Sequence, residues 1–229
     1  MKITLISDTH TKHNQVTEDL PGGDLLIHAG DLSSMGYQRE LQNFFEWYDG
    51  IRGYDKKIFI AGNHDWGFQD DPKETALQLK NYKSIEYLQD EAFSLYNMYT
   101  DKTTTIYGSP WQPRFYNWAF NADRGEDIKQ YWDKISIDTD ILITHGPAYG
   151  FLDKVHGRGG HLGCEELTKA IARIKPKIHV CGHIHSGNGY VKYNDTHFFN
   201  AAVLSESYIY AYKPFTFDWN PETNEISFL

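Results

Sequence analysis

Cysteine is nearly absent. Cys164 and Cys181 are the only two in 229 residues, too few for a disulfide framework and compatible with a reducing compartment. Cys181 stands inside an apolar run and reads as a small buried hydrophobe. Basic charge is scarce as well: 22 Lys and Arg face 31 Asp and Glu, for a net charge of −9. That balance argues against a broad nucleic-acid-binding face, while leaving room for a local positive site. Long hydrophobic runs are missing. No stretch approaches the roughly 20 apolar residues of a membrane span, and the opening MKITLISDTH holds only about five apolar residues before a polar turn, short of a signal-peptide core. A cytoplasmic protein without membrane attachment is the expectation. No internal repeat, low-complexity tract or linker interrupts the chain, so residues 1–229 are expected to form a single domain with a sizeable core.

What the chain does have is histidine, eleven in all, and 15% aromatic residues. The histidines gather where apolar runs stop. Residues 2–7 end in Asp8-Thr9-His10, residues 24–29 in Gly30-Asp31, and residues 57–61 in Gly62-Asn63-His64-Asp65. Later, residues 140–144 end in His145 and residues 178–181 in Gly182-His183-Ile184-His185. In an extended segment alternate side chains share a face, so Asp8 with His10, and His183 with His185, are expected to point into one pocket, with Ile184 turned to the core. Between these runs, residues 38–51 place Leu41, Phe44, Phe45 and Tyr48 on one helical stripe. Helices are also expected over 72–82, 125–135 and 164–174. A strand is expected over 85–88 and a hairpin over 92–107. Residues 11–23 and the aromatic stretch 111–120 read as loops, and residues 190–193, 197–203, 207–212, 215–219 and 225–228 as strands. Helices early and strands late indicate a layered α/β fold with two sheets. The five polar clusters then lie at strand carboxyl ends, where open α/β sheets bind ligands.

Imidazole mixed with oxygen donors suits divalent Mn, Fe, Ni or Zn better than Mg or Ca. Asp8, His10, Asp31, Asn63, His145, His183 and His185 are too many donors for one open catalytic zinc and fit two metals sharing a carboxylate. Such a centre carries about two net positive charges, or one after a bridging hydroxide, so it favours an anionic substrate. A metal pair of this kind turns water into a nucleophile for phosphoester hydrolysis. His64 stays free to give a proton to the leaving oxygen.

Asp8-Thr9-His10, Gly30-Asp31, Gly62-Asn63-His64-Asp65, His145-Gly146 and Gly182-His183-Ile184-His185 resemble, in order, the five blocks of the calcineurin-like metallophosphoesterase superfamily. The stretches 106–113, 117–120, 142–147, 161–164 and 199–201 resemble the metallophosphoesterase-domain-containing (MPPED, or 239-type) phosphodiesterases. This resemblance implies a β-sandwich flanked by helices. It places Asp8, His10, Asp31 and His185 on one metal and Asp31, Asn63, His145 and His183 on the other, with Asp31 bridging and His64 as the acid. It also implies activity on small phosphodiesters such as cyclic nucleotides. A phosphomonoesterase or protein phosphatase with the same centre, or a noncatalytic nucleotide-binding scaffold, are the alternatives.

Several residues keep two readings. Asp65 either caps a turn or orients His64. His156, Arg158 and His161 in the glycine-rich loop are solvated charge or contacts for a substrate phosphate. Trp111, Phe115, Tyr116, Trp118 and Phe120 are loop packing or a stacking wall for a base. His28 and His179, inside strands, are expected to be packed and hydrogen-bonded.

Overall fold

The computed structural model describes residues 1–97, 101–157 and 159–229. In the first part, strands β1 (Lys2–Ile6), β2 (Gly23–His28), β3 (Tyr54–Phe59) and β4 (Ile85–Tyr87) alternate with a 3-10 helix (His13–Asp19) and with α1 (Gln38–Gly50), α2 (Gly67–Asp70) and α3 (Pro72–Leu79). There follow β5 (Glu91–Asn97), β6 (Lys102–Ser109), two short strands β7 (Gln112–Pro113) and β8 (Asn121–Ala122), α4 (Glu126–Trp132), β9 (Ile141–Thr144), α5 (Glu165–Ile174) and β10 (Ile178–Cys181). A strand-only tail of β11 (Gly189–Tyr193), β12 (Thr196–Asn200), β13 (Phe215–Asn220) and β14 (Glu225–Phe228) closes the chain.

These strands build two six-stranded sheets, ordered β14-β13-β1-β2-β3-β4 and β11-β12-β10-β9-β6-β5. Each has a run of four parallel strands, β1 to β4 in one and β12, β10, β9 and β6 in the other. Parallel strands covered on both faces read as continuous apolar runs, and β9 and β10 are buried at every residue. Alternation assigns the two faces. Ile3, Leu5, Leu25, Ile27, Ile58, Ile141, Ile143 and Phe199 fill the space between the sheets. Ile6, Leu26 and Phe59 face outward onto Leu41, Phe44, Phe45 and Tyr48 of α1. Leu142 and Phe198 face outward on the other side, onto α4 and α5. The result is the layered sandwich flanked by helices.

Three expectations need correcting. Residues 11–23 are not all loop, since seven of them form the 3-10 helix. Residues 207–212 form no strand; a lone bridge joins Leu204 to Tyr210 within a turn. The aromatic stretch is anchored by the β7–β8 pair rather than by its rings alone. The tip of the expected hairpin, residues 98–100, lies outside the described residues, as does Arg158.

Candidate metal centre

Within each sheet the parallel strands end on the same side, and contacts from one sheet to the other, His145 with Ala29, Asp31 and Asn63 and His183 with Asp8, bring the residues after β1, β2, β3, β9 and β10 together. The backbone there does not continue as strand. Asp8, His10, Asp31 and His183 sit at φ +55°, +40°, +55° and +65°, a left-handed conformation that costs non-glycine residues of order 1–3 kcal/mol each. His185 opens a short 3-10 turn. The expected alternation along extended strands is therefore not what aims these side chains, although Ile184 does turn to the interior. Two glycines make the approach possible. A Cβ at Gly182 would collide with the Asp8 carboxylate and Ser7 Oγ, and one at Gly62 with Asp31 and the His145 ring.

Three imidazoles are fixed from behind. His10 Nδ1 gives its proton to the Ser33 carbonyl at 3.1 Å, His145 Nδ1 to that of Ala29 at 2.9 Å and His185 Nδ1 to that of Ser205 at 2.9 Å. Each Nε2 is thereby turned toward the carboxylates. His185 Nε2 lies 3.4 Å from Asp8 and 3.3 Å from His10 Nε2, and His10 Nε2 lies 3.5 Å from Asp31. On the far side of Asp31, His145 Nε2 lies 3.3 Å from the carboxylate and 3.0 Å from Asn63 Oδ1. The His183 ring packs edge-on to His145 at 5.1 Å, and its backbone N–H donates to Asp8. Two donor groups result, Asp8, His10 and His185 on one side and Asp31, His145 and His183 on the other. A third combination, His10, Asp31 and His64, lies between them.

This donor set fits divalent cations. His10 and His185 turn ring nitrogens toward each other at 3.3 Å while both Nδ1 protons are already committed. Two lone pairs at that distance repel unless a proton or a cation lies between them. The titration shifts point the same way. Burial pushes His145 and His185 down, but Asp31 beside the first and Asp8 beside the second overrule it and lift both to about 9. Burial wins at His10 and His183, held down to about 4 and about 3. Asp8 and Asp31 are buried, which opposes their charge, yet His185 and His145 hold both below the usual carboxylate range. Protons on His145 and His185 thus occupy positions that a metal would take over.

His64 is half-buried at the rim. Its Nδ1 donates to the Ser34 carbonyl at 2.7 Å, its backbone N–H to Asp31 at 2.8 Å, and its ring stacks on Trp118 at 4.1 Å between centroids. Asp65 does not orient the His64 ring. Its carboxylate is fully buried and accepts from Leu32 N, Ser33 N, Ser33 Oγ and Gly62 N at 2.6–3.1 Å. It braces the turns on either side of Asp31 instead. Burial and the charge of Asp31 push it up to about 6, against the pull of those donors.

A cleft of about 620 Å³ opens over the centre, lined by Asp31, Asn63, His64, His183 and His185 together with Arg114, Phe115, Tyr116, Arg124, Glu206 and Tyr208. Of the aromatic stretch, Phe115 and Tyr116 reach this cleft, whereas Trp111 stacks on Tyr131 and Phe120 is buried. His161 is tied to Asp153 at 2.6 Å and does not line the cleft; its neighbours Leu162 and Gly163 do. Sequence reasoning missed Arg114, Arg124, Glu206 and Tyr208, none of which follows one of the five apolar runs that end in polar clusters. Arg114 is paired with Asp123 at 2.5 Å, and Arg124 with Glu165 and the Leu162 and Gly163 carbonyls. Tyr208 sets its ring edge against His10 and His185 at 4.9 and 5.2 Å.

The profile of the calcineurin-like phosphoesterases matches residues 1–187, a span that includes every residue of the centre. The chain belongs to the calcineurin-like phosphoesterase family. Metallophosphoesterase domain-containing protein 1 of Homo sapiens is 37% identical over 228 residues, covering 90% of this chain and 67% of that protein. A UPF0046 protein of Caenorhabditis elegans is 33% identical over 245 residues, covering 95% and 60%. The chain thus spans about 60–67% of the length of these relatives. Among solved structures, TT1561 of Thermus thermophilus superposes with a TM-score of 0.62 at 13% identity, covering 99% of this chain and 97% of that one. The phosphopantetheinyl hydrolase PptH of Mycobacterium tuberculosis does so with 0.58 at 16%, covering 90% of each. Both share the fold. Among the described residues, no helix is long and apolar enough to cross a membrane.

Proposed function

We propose that residues 1–229 act as a single phosphodiesterase domain for small phosphodiesters, cyclic nucleotides among them, with a centre of two divalent transition metals. The observation that carries this reading is the position of Asp31, one carboxylate between two groups of imidazoles at the floor of a cleft. Asp8, His10, Asp31 and His185 would hold one cation, and Asp31, Asn63, His145 and His183 the other. When bound, such a pair acidifies water for in-line attack and stabilises charge on the entering and leaving oxygens. The chain's residues do the rest. Asp31 spaces the two sites, Asp65 fixes the turns that present it, and His64, with Nδ1 committed to Ser34, offers Nε2 to protonate the leaving oxygen. Phe115 and Tyr116, 40% and 75% exposed at the mouth, offer faces for a base. The single-domain reading rests on β13, which pairs with β1 and carries Phe217 and Trp219 into the space between the sheets.

The test is hydrolysis of bis-p-nitrophenyl phosphate beside p-nitrophenyl phosphate in Mn, with and without EDTA, followed by 2′,3′- and 3′,5′-cyclic nucleotides. Metal-dependent preference for diesters is the expected result. Preference for the monoester would make the protein a phosphomonoesterase, and a folded protein inert with every metal would be a scaffold.

A further inference from the structure

We propose that Trp118 is a positioning residue for His64, holding the imidazole in the one orientation that directs Nε2 at the leaving oxygen. The inference rests on the reading of His64 as the acid. Three contacts define the ring. Its Nδ1 is given to the Ser34 carbonyl at 2.7 Å, the His10 ring meets it edge-on at 4.6 Å and 84°, and the Trp118 indole covers one face at 4.1 Å and 29°. The Cβ–Cγ bond and the hydrogen bond hold the ring along one side only and leave it able to rock about that side, which moves Nε2. The indole, stacked at 29° to the imidazole, limits that freedom, because a swing brings imidazole atoms against the indole face.

Trp118 is itself held on the segment it supports. The N–H of Ala119 donates to the Asn63 carbonyl at 3.1 Å, and that of Phe120 to Gln69 Oε1 at 2.7 Å. Ala119 and Phe120 are buried against the α1 side of the molecule. The indole therefore moves with the Asn63-His64 turn and not with the exposed tip at Phe115 and Tyr116. Proton transfer needs heavy atoms within hydrogen-bond reach and aligned, so a mobile acid loses rate where the leaving group needs its proton most.

The experiment compares wild type, Trp118→Phe and Trp118→Leu on the phenyl and p-nitrophenyl esters of thymidine 5′-phosphate, with metal content measured on the same samples. Trp118→Leu should lower kcat for the phenyl ester about tenfold and for the p-nitrophenyl ester by no more than about threefold, with KM little moved. Trp118→Phe keeps a ring over the imidazole and should recover most of the loss. A second readout is independent of turnover: the His64 ring C–H resonances, identified by their loss in His64→Gln, should lie upfield in wild type and move downfield in Trp118→Leu. Equal loss on both esters, loss of metal, or unmoved resonances would overturn the positioning role alone. A wild-type protein inert toward both esters in Mn, Fe, Ni and Zn would instead remove the hydrolytic reading on which it rests.

Discussion

Asp31 and His64 are neighbours in space with opposite consequences when lost. Asp31 is the carboxylate both donor groups reach, so Asp31→Ala should empty or disorder both metal sites, and metal analysis should find well under one equivalent. One site remaining full would show that Asp31 does not bridge. His64 also lies close to His10 and Asp31, so its ligand role is decided by the same measurement. With Nδ1 on the Ser34 carbonyl, His64→Ala should leave metal content intact and slow poor leaving groups by about a hundredfold, the low end of general-acid effects, with a much smaller loss on activated ones. Metal loss in that variant would place His64 among the ligands. Each of the seven ligand candidates was legible in the sequence because each follows an apolar run within a few residues. Asp65 was legible as important but not in its task. A buried carboxylate that accepts four hydrogen bonds looks, in one dimension, the same as one that orients a catalytic ring.

At the level of elements, the turns after the strands matter more than the strands. Gly182 lies between β10 and His183 with the Asp8 carboxylate where a Cβ would go. Gly182→Ala should force the turn outward, break the His183 N–H to Asp8 bonds of 3.0 Å and destabilise the protein by about 1–3 kcal/mol, as overpacking does. Urea denaturation with metal analysis checks both effects. Two strands also brace ligand turns from behind. His28 on β2 meets Thr9 Oγ1 at 3.0 Å, and His179 on β10 meets Thr144 Oγ1 at 2.9 Å, which passes its own proton to the Gly146 carbonyl. The expectation that these histidines are packed and bonded holds. Their partners were not foreseeable, since the contacts cross from strand to strand. For α1 the sequence sufficed: Leu41, Phe44, Phe45 and Tyr48 repeat at helical spacing, and all four are fully buried.

For the whole molecule, burial and charge set a pH profile. Burial holds His10 and His13 down to about 4 and His28, His179 and His183 to about 3. Unfolding lets these five take up protons near pH 6.5, so their contribution is full above that pH and is lost as pH falls toward 3. Asp65, lifted to about 6, and Asp140, raised by burial, work in the opposite direction, while Asp8 and Asp31, held below the usual carboxylate range, add to the acid loss. His145 and His185, lifted to about 9, contribute fully below pH 6.5 and lose that contribution as pH rises through 9. Thermal unfolding in EDTA should therefore give a maximum near pH 6.5. Excess Mn should flatten the alkaline fall, because cations replace those two protons; an alkaline fall unchanged by metal would contradict the assignment of both histidines as ligands. By itself the sequence determined the layered α/β class, the stripe of α1 and the set of candidate ligands, because periodicity and residue chemistry are local properties. Only the tertiary structure decided the left-handed turns that aim those ligands, the cleft lined by Arg114, Glu206 and Tyr208, and the stacking of Trp118 on His64. Each of these depends on groups far apart in the chain meeting across two packed sheets, and no spacing along the chain records such a meeting.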